Sequence, residues 1–138
     1  MKINSLYIDS PLTVQIGNVY KSRAIGYYFQ SKGLNVIANC RWGDERSFTT
    51  CELPEKFAFL GIPKNSIVSI GTYGCIQGKV EKYYLKEGIR AMIEEINPRC
   101  VIVYGSMPDI VFAEFKEKTK FIQFDDWITT RRNNNGNN

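Results

Sequence analysis

Residues 101–109, VIVYGSMPD, give the clearest indication of the fold class of this chain. Its first four residues are apolar without alternation, which is typical of a strand buried on both faces of a parallel sheet. Gly105 follows as a turn, and Ser106 with Pro108 has the composition of a helix start. A buried strand that passes through one glycine into a helix is the repeating unit of an α/β sheet.

The same order of strand, turn and helix recurs along the chain. The predicted strands are Ile3–Ile8, Leu34–Cys40, Ile67–Ile70, Val101–Tyr104 and Phe121–Phe124. The predicted helices begin and end near Ser10 and Gly33, Thr49 and Leu60, Lys79 and Ile96, and Ser106 and Lys118. Strands separated by helices predict right-handed β-α-β units. We therefore expect an α/β fold: a single three-layer domain with a mostly parallel sheet of roughly four or five strands and helices on both faces.

Two of these helices carry apolar residues at helical spacing, which predicts the side that faces the core. In the first helix the residues are Leu12, Ile16, Tyr20, Ala24, Tyr27 and Tyr28. In the helix near Lys79–Ile96 they are Leu85, Ile89, Met92 and Ile96. Ser10 is expected to cap the start of the first helix, and Gly33 its end.

The length of 138 residues is typical of one domain, and the hydrophobic content of 43% suits an ordinary core. We assign residues 1–130 to a single α/β domain and residues 131–138, which are rich in Asn, to a disordered polar tail. No apolar stretch is long enough to span a bilayer, and no signal peptide is evident. A soluble, cytoplasmic protein without membrane contact is therefore expected.

The chain has four cysteines and no histidine, which limits its chemistry. Cys40, Cys51, Cys75 and Cys100 lack the paired spacing of a zinc site, so no metal site is expected from them. The missing histidine excludes every Ser-His and Cys-His mechanism. Cys75 would act as a nucleophile only if a base lowered its pKa, and no such base is identifiable.

The net charge of +4 is concentrated in the first third of the chain. Residues 1–43 hold five basic residues and one acidic residue, Asp9, while the rest of the chain is neutral overall. This asymmetry favours a phosphate-bearing partner. Nucleic acid is the less favoured of the phosphate-bearing partners, because a dedicated nucleic-acid-binding domain usually shows a denser basic patch and a recognisable motif.

Ligands of open parallel sheets bind beyond the carboxyl ends of the strands, where loop amides and helix starts converge. The loops at these positions are Arg41–Arg46, Gly71–Gly74, Tyr104–Asp109 and Asp125–Trp127. They supply the candidate ligand-binding residues Arg41, Trp42, Gly71, Thr72, Tyr73, Gly74, Tyr104, Gly105, Ser106 and Asp125.

The candidate residues have the chemistry of an anion site, but each also has a structural explanation. Glycines let backbone amides approach a phosphate or carboxylate, and the helix start after Gly105 adds donors. Trp42 can stack on a flat ring while Arg41 holds an anion. Alternatively, Gly105 permits a turn, Ser106 caps a helix and Trp42 anchors a loop over the core. No loop matches a Walker or dinucleotide motif, so no particular cofactor is indicated.

Asp125 and Asp126 follow the last predicted strand. They could bind a hydrated Mg²⁺ or act as a base. Adjacent residues in an extended chain point in opposite directions, so at most one of them faces a shared site. A solvated turn or a helix cap is the structural alternative.

Several short motifs of the chain form a recognisable set. They are NVYKSRAIG at 18–26, Gly33 and the strand leading to Trp42, GIP at 61–63, VSIGTYG at 68–74 and VYG at 103–105, with Ser5-Leu6-Tyr7 before Pro11. From about Ser5 to Thr130 the chain thereby resembles a bacterial and phage family, domain of unknown function 4417. The resemblance implies no particular activity. Members generally carry an acidic and aromatic segment before this region. Where they tend to show a proline and an acid, this chain has Lys2-Ile3-Asn4.

Three functions stay open from the sequence. The first is binding of a small anionic, nucleotide-like ligand at the carboxyl ends of the strands. The second is a Mg²⁺-dependent hydrolase or transferase that uses the Asp125–Asp126 pair, so enzymatic activity itself is undecided. The third is an interaction module of a mobile element, in which Lys21, Arg23, Lys32 and Arg41 meet nucleic acid or an acidic protein. A homodimer is compatible with each, since β-α units can also form a half-barrel.

Overall fold

The computed structural model of the chain describes residues 10–125 and 127–136. Its helices are α1 Leu12–Ser31, α2 Glu45–Phe48, α3 Lys79–Ile96, α4 Asp109–Phe112 and α5 Trp127–Asn135. Its strands are β1 Ala38–Asn39, β2 Ile67–Gly71, β3 Cys100–Tyr104 and β4 Lys120–Phe124. Short 3-10 turns occupy Phe57–Phe59 and Ala113–Phe115. The predicted strand Ile3–Ile8 lies outside the described residues.

The described strands form one parallel sheet in the order β1-β2-β3-β4. In the register, Val68 of β2 pairs with Val101 of β3, which pairs with Phe121 of β4. The α/β class and the parallel sheet predicted from the sequence are confirmed. The spatial order of these strands follows their order in the chain. When every crossover is right-handed, such an order places the connecting helices on one face of the sheet, as in a β/α barrel. The described strands therefore lack the reversal of strand order that forms the crevice of doubly wound folds.

One face of the sheet forms the hydrophobic core. Val68, Ile70, Val101 and Val103 are fully buried and alternate along β2 and β3, so they share this face. The residues that pack with them come mainly from α3 and from the segment after β3: Leu85, Ile89, Met92, Ile96, Phe112 and Phe115. The predicted range and apolar side of α3 are thus confirmed.

The opposite face of the sheet is only partly covered. Its residues Tyr104, Ile122 and Phe124 are 47%, 38% and 53% exposed. The start of α5 contacts this face, where the Tyr104 hydroxyl accepts a 2.7 Å hydrogen bond from the backbone N–H of Trp127. The sequence predicts helices on both faces, whereas the cover on this side is partial in the described residues.

The ends of α1 differ from the prediction at one terminus. The helix begins after Pro11, so the predicted cap by the Ser10 side chain is wrong. The Ser10 carbonyl instead accepts hydrogen bonds from the side chains of Gln15 and Arg46. At the other terminus Gly33 has a φ of 80°, as expected of a glycine that ends a helix.

The predicted inward side of α1 is wrong. Its buried residues are Gln15 and Val19, whereas most of the residues predicted to face the core are exposed, namely Ile16, Tyr20, Ala24, Tyr27 and Tyr28. The physical reason is Arg23, which α1 turns toward the protein. Its guanidinium donates hydrogen bonds to the backbone carbonyls of Leu60 at 2.7 Å, Ala58 at 2.9 Å and Asn39 at 3.2 Å.

The helix predicted between Thr49 and Leu60 is absent. The Thr49 hydroxyl donates to the Glu45 carbonyl at 2.6 Å and so closes α2 instead of starting a new helix. α2 itself is capped by Asp44, whose carboxylate accepts from the backbone N–H of Arg46 at 3.1 Å.

The helix predicted after Gly105 is shorter than expected. α4 begins after Pro108 and has four residues, so Ser106 does not cap it. A 3-10 turn continues the segment to Phe115. The predicted extension to Lys118 is therefore wrong.

The last described helix includes part of the predicted polar tail, since residues 131–135 belong to α5. Residues 137 and 138 lie outside the described part of the chain. Within the described residues, no helix has the length and apolar character needed to cross a bilayer.

Candidate functional site at the carboxyl edge of the sheet

The four parallel strands end on one side of the sheet, which we call the carboxyl edge. The loops that begin there are residues 40–44 after β1, 72–78 after β2, 105–108 after β3 and 125 after β4. The predicted site residues all lie in these loops or at the last position of a strand. The parallel topology therefore brings all four predicted loops to one edge.

Hydrogen bonds join the loops after β2 and β3 to each other and to the end of β4. Thr72 donates its backbone N–H to the Tyr104 carbonyl at 3.1 Å and its hydroxyl to the Ser106 carbonyl at 2.7 Å. The backbone N–H of Gly105 donates to the Phe124 carbonyl at 2.8 Å. The loops after β2 and β3 and the last residue of β4 thus form one hydrogen-bonded unit.

Thr72 and Gly105 brace this unit. Thr72 is fully buried, so its hydroxyl supports the loops from inside. Gly105 has a φ of 116°, and a Cβ atom there would lie 2.6 Å from the Thr72 Oγ1. The Gly105 amide is one of the predicted donors to an anion, but it donates its hydrogen bond to the Phe124 carbonyl instead.

The loop after β2 starts with a tight turn. The backbone N–H of Cys75 donates to the Thr72 carbonyl at 3.0 Å, and Gly74 has a φ of 78°, which is the pattern of a type II turn. The amides of Tyr73 and Gly74 have no hydrogen-bond acceptor among the described residues. They remain available at the carboxyl edge.

Arg41, in the loop after β1, lies over the end of β2. A Cβ atom at Gly71 would be 3.6 Å from the Arg41 Nη1, so the glycine leaves room for the guanidinium. Arg41 is half-buried, and its side chain has no hydrogen bond or ion pair with another described residue. It therefore contributes an uncompensated positive charge to the described part of the edge.

The Cys75 thiol lies within the electrostatic reach of Arg41 but is not activated. Burial raises the pKa of this thiol, and the positive charge of Arg41 offsets the rise only in part, while Glu81 adds to it. A raised pKa keeps the thiol protonated, which is the opposite of what a nucleophile requires.

Trp42 anchors its loop to α3. Its Nε1 donates to the Tyr84 carbonyl at 2.9 Å, and a methyl group at Gly88 would overlap the indole. The ring also makes an edge contact with Phe59 at a centroid distance of 6.4 Å. These contacts give Trp42 a packing role and explain why α3 has a glycine at this position.

Asp125 is exposed at the end of β4, and Asp126 lies outside the described residues. Among the described residues, no group of three or more His, Cys, Asp or Glu side chains is arranged to hold a metal ion. The described part of the chain thus adds no observation in favour of the magnesium hypothesis.

Two aromatic residues at this edge, Phe124 and Trp127, are not among the predicted site residues, although they are 53% and 67% exposed. Phe124 pairs with Tyr104 across β3 and β4, and Trp127 contacts the Tyr104 hydroxyl. Aromatic residues on either side of an acidic pair at a strand end were the available signal.

Comparison with known proteins gives a family and two phage relatives. The family described as "Domain of unknown function (DUF4417)" matches residues 3–125. The Gene 1 protein of Mycobacterium phage L5 is 30% identical over 129 residues, which are 91% of this chain and 53% of the relative. The Gene 1 protein of Mycobacterium phage D29 is 31% identical over 116 residues, which are 82% of this chain and 40% of the relative. The chain thus spans about half the length of these relatives or less, and no solved structure matches it significantly.

Proposed function

The chain belongs to the family described as "Domain of unknown function (DUF4417)", and we propose that it binds a small anionic, nucleotide-like ligand at the carboxyl edge of its sheet. The segment that matches the family contains the loops after β1, β2 and β3. The proposed site therefore belongs to the part of the chain that defines the family.

The position of Arg41 carries this proposal. A half-buried guanidinium loses part of its hydration, and an anionic partner restores the lost interaction through charge-assisted hydrogen bonds. Arg41 lies over Gly71 at the carboxyl edge, and no described residue supplies a carboxylate to it. A phosphate or carboxylate of a ligand is the natural partner for such a cation.

The backbone next to Arg41 supports an anionic ligand as well. The amides of Tyr73 and Gly74 belong to the turn that follows Gly71, and they have no acceptor within the described residues. Successive amides in a glycine-containing turn are suited to anion binding. The guanidinium and these amides thus offer donors from two neighbouring loops.

Exposed aromatic rings at the same edge support a nucleotide-like ligand rather than a simple anion. Tyr104 is the register partner of Gly71, and Phe124 is the partner of Tyr104, so the two rings belong to the first and the second strand beyond β2, over whose end Arg41 lies. Adjacent strands lie about 5 Å apart. A base can therefore stack on an exposed ring while its phosphate meets Arg41.

Titration calorimetry and thermal shift with nucleoside phosphates test the proposal. We expect millimolar or tighter binding and a rise in the melting temperature, with nucleoside phosphates binding more tightly than inorganic phosphate. Arg41→Ala should weaken binding by roughly tenfold to a hundredfold, because a hydrogen bond to a charged group contributes about 1.5–3 kcal/mol. The matched control is Arg99→Ala, since Arg99 is exposed next to the start of β3 at the opposite edge.

Two results would contradict the proposal. One is the absence of stabilisation by every phosphate compound at millimolar concentration. The other is an equal loss of binding in Arg41→Ala and Arg99→Ala, because that would indicate a general charge effect rather than a site at the carboxyl edge.

A further inference from the structure

The outward side of α1 is unusually rich in exposed aromatic residues. Tyr20, Tyr27 and Tyr28 are 72%, 75% and 58% exposed, and they lie on the side opposite the buried Gln15 and Val19. Residues seven positions apart point in nearly the same direction on a helix. Tyr20 and Tyr27 therefore form a ridge about 11 Å long, and Tyr28 lies beside it.

Lysines lie beside these rings, and α1 contains no acidic residue. Lys21 is exposed on α1, and the Lys32 ammonium lies 5.5 Å from the centre of the Tyr28 ring. Residues 10–43 contain no Asp or Glu. We call the surface formed by Tyr20, Lys21, Tyr27, Tyr28 and Lys32 the α1 aromatic face.

Only part of the positive charge of this region belongs to the α1 aromatic face. Arg23 is turned inward, where its guanidinium is occupied by three backbone carbonyls. Arg41 lies at the carboxyl edge over Gly71. The face thus combines three tyrosines with two lysines. It offers more rings on which a partner can stack than charges that can attract one.

The positive charge of the α1 aromatic face indicates which kind of partner it binds. A second copy that packed α1 against α1 would bring Lys21 and Lys32 of both chains together, and the helix has no carboxylate to compensate. An anionic partner is complementary to the face. An acidic peptide would use the lysines but not the exposed rings, whereas a nucleic-acid strand offers phosphates to the lysines and bases to the tyrosines.

We propose that the α1 aromatic face binds single-stranded nucleic acid. Bases of a duplex are stacked on each other and cannot stack on tyrosine, while bases of a single strand can. The length of the ridge suits two or three nucleotides, roughly one base per ring. This inference does not rest on the proposed function, because the two surfaces share none of these residues.

Fluorescence anisotropy of a short labelled oligothymidylate, titrated with the full chain at low ionic strength, tests the inference. We expect saturable binding that the double variant Tyr20→Ala/Tyr27→Ala weakens by about tenfold or more, as is typical for the loss of stacking residues. Both substitutions lie at exposed helical positions where alanine is well tolerated, and circular dichroism verifies that the fold is kept. Tyr83→Ala on α3 is the matched control, since Tyr83 is 59% exposed, and it should bind normally.

The salt dependence of the same titration measures the contribution of the lysines. Two phosphate contacts to a single strand predict a slope of about −1.4 for the logarithm of the affinity against the logarithm of the salt concentration. Lys21→Ala/Lys32→Ala should remove most of this salt dependence. The exposed Lys64, which precedes β2 and is not part of the α1 aromatic face, can be replaced without effect.

Four results would overturn the inference. They are the absence of binding at low ionic strength, equal losses in the α1 and Tyr83 variants, equal affinity for a duplex of the same length, and a chain that sediments as a dimer through Tyr20 and Tyr27. The last result would identify the face as a contact between copies of the chain.

Discussion

Gly105 shows how one residue determines the geometry of the carboxyl edge. Its φ of 116° is accessible to glycine but strained for other residues, and the Thr72 hydroxyl occupies the space where a side chain would begin. This close approach lets Thr72 join the loops after β2 and β3. The sequence is enough to predict a turn at Gly105. It is not enough to predict that Thr72 contacts this turn, since the two residues are far apart in the chain.

Replacing Gly105 by alanine should destabilise the protein. We expect Gly105→Ala to lower the free energy of unfolding by about 2 kcal/mol or more, because backbone strain adds to the steric conflict with Thr72. Urea denaturation measures the change. Gly17→Ala is the matched control, because no atom lies within 4 Å of a Cβ atom at Gly17 of α1; it should leave stability unchanged or raise it by about 0.5–1 kcal/mol. Equal stability of the two variants would contradict this account.

Within the elements, α1 is oriented by the half-buried Arg23 rather than by its apolar residues. Its apolar residues surround the helix on all sides, so their spacing alone does not select the inward side. Arg23 satisfies three backbone carbonyls from two other segments of the chain. Because backbone carbonyls that are removed from water need donors, these three hydrogen bonds favour the rotation of the helix that turns Arg23 toward the protein.

Removal of the Arg23 side chain should therefore loosen α1. We expect Arg23→Ala to lower the free energy of unfolding by about 3 kcal/mol, since three acceptors lose a charged donor at once. Lys21→Ala, two residues away on the exposed side, should change stability by less than about 0.5 kcal/mol. Chemical denaturation followed by circular dichroism compares them. A small effect of Arg23→Ala would mean that apolar packing orients the helix after all.

At the scale of the whole molecule, the sequential strand order produces two unlike faces of the sheet. One face holds the core with Val68, Val101 and α3, while the other leaves Tyr104 and Phe124 exposed beside the carboxyl edge. The strand order could not be predicted from the sequence, because each β-α unit reads the same in an open sheet and in a barrel. The difference places the aromatic residues of the edge within reach of solvent.

The global stability of the fold should depend on pH through Cys40. Burial raises the pKa of its thiol from 9.0 to about 12, so above about pH 9 the unfolded chain loses this proton while the folded chain keeps it. Stability is therefore expected to fall by roughly 1.4 kcal/mol per pH unit between about pH 9 and about pH 12 on account of this group.

Urea denaturation of the protein and of Cys40→Ala at about pH 8 and about pH 10 isolates this contribution. The variant should lose less stability than the protein over that interval, although it is less stable at the lower pH because a buried side chain is truncated. The same loss in both proteins would show that other groups carry the pH dependence. Cys51, which is exposed, provides a control through Cys51→Ala.

The candidate site was predictable in part. Its loops could be located because strand ends and glycine turns have local signatures, and the parallel sheet does bring Arg41, Thr72 and Ser106 to one edge. The separate roles of these residues could not be predicted, because the hydrogen bond from Thr72 to the Ser106 carbonyl spans distant parts of the chain. The sequence makes Trp42 a candidate for stacking on a ligand, whereas the structure shows its indole hydrogen-bonded to α3.

The alternation of strands and helices, the buried side of α3 and the glycine turns could all be predicted from the sequence. They depend on periodicity and on backbone sterics, which act between residues that are close in the chain. The strand order, the rotation of α1 and the cations that stay available to a partner follow from the folded arrangement alone. These features depend on contacts such as that of Arg23 with Leu60, whose free energy exists only once distant segments have come together.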